Sequence, residues 1–174
     1  MKPLLLILII TTILAILILL YFIKMTKLKK YNDRIIKADN NIDELINNKI
    51  KIIESINKVM KKSSSKKDYL KDYMDKLDNT DNYEKDEILN DCSLIINDLI
   101  HDHKRLANNK ELKKLTNELK NIDEEIIGNK IIFNNNMKKL NENTKNIIDK
   151  MVAIIAKFKT KRYYKINKTD DGIN

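Results

Sequence analysis

The residues best equipped for chemistry gather between Asp91 and His103. His101 and His103 are the only histidines, Cys92 is the only cysteine, and Asp91, Asp98 and Asp102 stand close by. Imidazole, thiolate and carboxylate together could hold a zinc-like ion. The spacing argues against it: helical residues two apart point about 200° from one another, so the imidazoles diverge. They read as surface or boundary histidines, and no metal or other cofactor is expected. Cys92 shares an apolar stripe with Leu89 and Ile96, where a free cysteine fills core space more often than it reacts.

Two acidic groups, Asp68 with Asp72 and Asp123-Glu124-Glu125, could supply the paired carboxylates of acid–base chemistry. Both have lysines at helical spacing and read as solvated helix faces. Gly128 and Gly172 are the only glycines, too few for a phosphate-cradling loop. Basic residues around Tyr163 and Tyr164 could touch phosphates and stack on bases. That segment is short, and nucleic acid is not the expected partner. The chain thus reads as no enzyme, with no catalytic residue and no small-molecule substrate.

The elements that must position these groups begin with Leu4–Ile23, twenty residues without a charge, fifteen of them Leu or Ile. As a helix the run is about 30 Å long, the thickness of a bilayer's hydrocarbon core. Each Leu or Ile favours insertion by roughly 0.3–0.6 kcal/mol, enough in sum to outweigh Thr11 and Thr12 several times. A cleaved signal peptide is the competing reading, but the run is longer than such a region and Tyr21-Phe22-Ile23-Lys24-Met25 has no small-x-small site. Residues 1–3 form a short tail before a transmembrane helix at 4–23, which would engage the lipid bilayer. Lys24, Lys27, Lys29, Lys30, Arg34 and Lys37 follow the run against one acid, Asp33. Positive charge stays inside, so the N-terminus should face out and the body the cytosol. A lone cysteine fits a reducing compartment. The body's excess of basic residues, 33 against 25 acidic, reads as solubility.

Pro3 is the only proline, so turn-rich β folds are excluded and residues 24–160 read as helices. Ile35, Ala38, Ile42, Leu45, Ile52, Ile56 and Val59 make one stripe, broken only by Lys49. No breaker separates this helix from the anchor, so one helix should run to about residue 61. Ser63-Ser64-Ser65 offers a turn before a second helix over 66–78, with Tyr69, Leu70, Tyr73, Met74 and Leu77 on one face. A third helix is expected over 83–107.

The fourth, over 110–158, carries Leu112, Leu119, Ile126, Phe133, Leu140, Ile147 and Ile154 at seven-residue intervals, with Met137, Met151 and Phe158 on the neighbouring row. That period predicts coiled-coil-like packing. Asn129, Asn136 and Asn143 continue a second row, either as a solvated flank or as polar residues fixing register. The expected fold class is all-α: a transmembrane helix continuing into a long antiparallel four-helix bundle. Its last helix would return to the membrane. There Lys157, Lys159, Lys161, Arg162, Tyr163 and Tyr164, with Lys24, Lys27, Lys29 and Lys30, become candidates for the lipid surface. An ordinary solvated tail over 161–174, flexible in solution, is the other reading.

Tyr31-Asn32, Ala38 leading to Ile42-Asp43, and Lys130 ahead of Phe133-Asn134 and Leu140-Asn141 form an ordered set along nearly the whole chain. In this set the chain resembles the LemA family, membrane-anchored bacterial helical-bundle proteins. Lys130 stands where the family has Arg, and the two dipeptides stand for Tyr-Asn pairs seven residues apart. Phe158 and Tyr163-Tyr164 match the aromatic positions closing the pattern. The chain departs at Ile147-Ile148, for a Phe-Pro pair, and at Ile52-Ile53-Glu54-Ser55-Ile56, for Leu-Ile-Pro-Asn-Leu. The resemblance implies a cytosol-facing or envelope-associated bundle behind an N-out anchor, with no established catalytic activity. The expected role is a scaffold or interaction module binding unidentified proteins or self-associating; the alternative is a membrane-surface binder reading anionic lipid.

Overall fold

The computed structural model describes residues 2–63, 68–158 and 161–166. Helix α1, Lys2–Ser63, is continuous, as the lack of any breaker after Pro3 predicts. Next come a single turn α2, Lys71–Met74, and a 3-10 turn, Leu77–Asn79. Helix α3 spans Asn82–Asp102, a turn α4 spans Lys104–Ala107, α5 spans Lys110–Asn143 and α6 spans Ile147–Ile155. The protein is all-helical, with no strand among the described residues.

Local chemistry explains where helices start and stop. Asp81 caps α3 by accepting from the Glu84 amide at 2.9 Å, and Asn109 caps α5 by accepting from the Leu112 amide at 3.1 Å. Of the helix expected over 66–78, residues 66 and 67 lie outside the described residues along with Ser64 and Ser65, and the described part holds only α2 and the 3-10 turn. Asp75, Asp78 and Asn79 follow α2, side chains that compete for backbone partners and favour turns over helix interiors. The expected helix over 83–107 breaks at His103, which adopts an extended conformation. The one expected over 110–158 ends at Asn143, where the Thr144 hydroxyl donates to the Leu140 carbonyl at 3.0 Å. Helix α6 then begins anew after extended Asn146.

The chain forms two compact units. Residues 39–131, with those from Tyr164 onward, make one. Its core joins Ile42, Ile46, Ile53, Ile56 and Met60 of α1, Leu89, Cys92 and Ile96 of α3, and Leu112, Leu119 and Ile126 of α5. Leu70, Leu77 and Leu106 are buried from the short turns. Residues 1–38 and 132–163 make the other. There Leu28, Ile35 and Ala38 of α1, Phe133, Met137 and Leu140 of α5, and Val152 of α6 are buried.

The heptad row is therefore buried from Leu112 through Leu140 and then fails at Ile154, 66 % exposed; on the neighbouring row Met137 is buried but Met151 is 58 % exposed. The side chain of Ile147 lies outside the described residues. The turn at Thr144–Asn146 resets the helical phase, so a seven-residue spacing across it no longer marks one face. The Asn row divides. Asn129, Asn136 and Asn143 each donate to the carbonyl four residues back, at 2.9, 2.7 and 2.7 Å. Asn136 is buried rather than solvated, while Asn129 also accepts from Asn41 at 3.1 Å.

Candidate functional site

Two arrangements stand out, one in each unit. In the unit containing residues 39–131, two lysines lie in the interior. Lys49, the apparent gap in the α1 stripe, is 1 % exposed. It meets Asp123 at 2.6 Å and donates to Asn90 Oδ1 at 2.7 Å. Burial raises the Asp123 carboxyl above the usual range, and Lys49 offsets only part of that. Asp123 is thus distinct from Glu124, which sits on the surface with Lys120 at 3.9 Å. Lys130 is buried against Asp86 at 2.6 Å. An isolated ammonium in such a place would lose several kcal/mol of hydration, which only a carboxylate at contact distance recovers.

Tyr164 completes this set. It is 4 % exposed, stacks on Tyr83 with ring centroids 4.3 Å apart, and donates to Asp39 at 3.0 Å. Burial, then the Asp39 carboxylate, push its phenol upward, so it stays protonated. Lys165 meets Glu87 at 2.7 Å. Tyr164, a lipid-surface candidate on sequence, is thus enclosed in this unit, whereas Lys165 stays exposed and residues 167–174 of the expected tail lie outside the described residues. Elsewhere in the unit Asp43 accepts from Asn82, and Asp68 pairs with Lys61 and accepts from Asn57. Burial pushes the Asp68 carboxyl up, but Lys61 and Asn57 together bring it below the usual range.

The potential chemistry of the His101 region does not assemble. Both histidines are exposed. His101 lies 3.3 Å from its neighbour, Asp102. Cys92 is buried, and burial pushes its thiol up to about 11. Among the described residues no group of three or more His, Cys, Asp or Glu is placed to hold a metal ion.

In the unit built on residues 1–38 and 132–163, the apolar run lies exposed along α1 from Leu4 to Ile23. It is long and apolar enough to cross a membrane. The Thr11 and Thr12 hydroxyls donate to the Leu8 carbonyl at 2.9 and 2.8 Å, so both threonines satisfy their hydroxyl protons within the helix. Tyr21 and Phe22 close the run edge to face, 5.8 Å apart. One residue beyond it, Lys24 stands 3.2 Å from both carboxylate oxygens of buried Asp149 in α6. Lys27, Lys29, Lys30, Lys157, Lys161, Arg162 and Tyr163 are exposed, and Lys159 lies outside the described residues.

The other motif positions differ in burial. Ile42, Phe133 and Leu140 are buried, whereas Tyr31, Asn32 and Asn134 are half-buried. Asn141 donates to the Tyr163 hydroxyl at 2.9 Å, so the second dipeptide meets one of the closing aromatics. Sequence reasoning missed Asp86 entirely and read Lys49 as a gap. A lysine inside an otherwise unbroken apolar stripe was the available signal. No curated protein and no solved structure matches the chain. The family model of LemA matches residues 25–173, starting just past the apolar run. With the match covering most of its length, the chain belongs to the LemA family.

Proposed function

We propose that this LemA-family chain is a single-pass membrane protein without catalytic activity, presenting an antiparallel helical bundle as a scaffold for protein partners or further copies of itself. The observation that carries this reading is α1, one unbroken helix from an exposed apolar run of bilayer length into residues that build a core. Within residues 39–131, Asn41 with Asn129 and Lys49 with Asp123 support opposed directions for α1 and α5. The buried row Leu112–Leu140 supports coiled-coil-like packing. The lysines best placed for chemistry, Lys49 and Lys130, are held by carboxylates inside the core, where they support the fold.

The body faces the cytosol and the N-terminus lies outside, on the excess of Lys over acid just after the run. A single-cysteine chain, C92A with H101C, tests this in intact cells with a membrane-impermeant maleimide. Labelling only after permeabilisation is the expected result. Labelling of intact cells would place the body outside and overturn the cytosolic scaffold. A photo-crosslinking maleimide on the same thiol should then capture a discrete protein or a second copy.

A further inference from the structure

Among the described residues, none covers the outward face of α6. Asp149 and Val152 are buried, and Ala153 and Ala156 are half-buried on the same side. Met151, Ile154 and Ile155 point the other way, Ile155 being 62 % exposed. Large apolar residues clustered on one side of a helix of a folded chain mark a contact surface. What covers this one is set by height. Asp149, in the first turn of α6, is held at 3.2 Å by Lys24, the first charge after the apolar run. Tyr21 and Phe22, ring types that settle at headgroup level, sit just before that lysine. Wherever Leu4–Ile23 spans a bilayer, α6 begins level with the boundary between acyl chains and headgroups.

The rest of the turn fits that position. Leu140 near the end of α5, Ala153 and Ile154 of α6, and Phe158 just past it line an open groove of about 360 Å³ together with Lys145 and Lys150. Helix α6 closes with a double carbonyl cap: the Lys157 amide donates to Ile154 and the Phe158 amide to Ala153, both at 3.0 Å. Lys157 takes φ 56° to make it, which leaves its ammonium exposed just past the helix. Apolar side chains flanked by lysines suit an anionic lipid surface, where the chains enter the acyl boundary and the ammonium groups meet phosphates.

We infer that α6 is an interfacial helix, laying Met151, Ile154 and Ile155 into the phospholipid surface beside the anchor. This rests on the membrane-spanning reading of α1. It shifts lipid contact from the basic tail, whose Tyr164 is buried, to an apolar helix face.

The test uses the full chain, as C92A, in vesicles of phosphatidylcholine and phosphatidylglycerol, with an environment-sensitive dye on M151C, I154C or I155C in turn. Exposed K138C is the aqueous control and L14C the anchor control. All three α6 dyes should shift to the blue, lose quenching by aqueous iodide, and be quenched by lipids carrying a shallow quencher. A dye at residue 14 quenched by deep-quencher lipids, with α6 dyes open to iodide, would overturn the interfacial helix and leave the anchor standing. A residue-14 dye that no lipid quencher reaches would overturn the anchor, and the inference with it. Dyes shielded from iodide yet untouched by lipid quenchers would assign the face to a second copy and overturn the lipid surface.

Discussion

In the unit formed by residues 39–131 with Tyr164 onward, Lys49 and Lys130 are drawn inside and answered by Asp123 and Asp86 at 2.6 Å. In the unit formed by residues 1–38 and 132–163, Leu4–Ile23, Met151, Ile154 and Ile155 are turned outward. The first has enclosed its charges; the second has left apolar surface for its surroundings to cover. The first arrangement is stable in water, because carboxylates answer the enclosed ammonium groups. The second is stable where something less polar than water adjoins it.

The largest effect that could break this contrast is at the buried pair. Asp86→Ala leaves Lys130 charged and enclosed, and should cost about 3–5 kcal/mol of unfolding free energy, read by denaturant titration in detergent micelles. Replacing both residues by leucine should recover most of that loss or exceed it; if the single variant is as stable as the parent, the pair is solvated and the contrast fails. Next come two positions of one seven-residue row. Leu140→Ala should cost about 2–5 kcal/mol, but exposed Ile154→Ala should change stability in micelles by only about 0.5 kcal/mol either way. Equal losses would mean that the row continues through the Thr144–Asn146 turn after all.

Tyr164→Phe keeps the ring stack and removes a hydrogen bond to a carboxylate. A loss of about 1.5–3 kcal/mol is expected. Smaller still, Lys157→Gly relieves a left-handed side chain and should stabilise by about 0.5–1 kcal/mol, visible as a rise in melting temperature.

The smallest effect concerns acid. Asp68 has its folded value lowered below 3.8, so its contribution is present above the unfolded value and disappears as pH falls through the folded one. Asp123, raised by burial, has the opposite sign: its contribution is fullest below the unfolded value and falls as pH climbs through the folded one. Melting temperatures of Asp68→Asn should therefore follow a shallower acid limb below pH 4 than the parent.

Much of this was legible in residue order. The stripe Ile35–Val59, the row Leu112–Leu140 and the run Leu4–Ile23 are local periodicities, and local periodicity survives folding. What was hidden depended on residues far apart. Lys49 is an interior residue because Asn90 and Asp123 meet it, and no pattern around position 49 announces partners 41 and 74 positions away. Tyr164 looked like an interface aromatic among lysines, but Tyr83 supplies a ring to stack on. Ile154 kept a seven-residue count through a break that only Thr144 and Asn146 hinted at. The helix expected at 66–78 looked amphipathic, yet among its described residues Leu70 and Leu77 alone are fully buried while Tyr69, Tyr73 and Met74 are half-covered, too little to hold a long helix.

The enclosed thiol has a practical consequence. Burial encloses Cys92 and pushes its thiol up to about 11, which disfavours the reactive thiolate. An enclosed, protonated thiol is a poor partner for disulfide exchange and for oxidants that attack thiolate. Any alkylation of Cys92 is then a record of the core having opened. The unmodified protein carries its own clock for unfolding, readable by mass in a living cell without a dye or a tag.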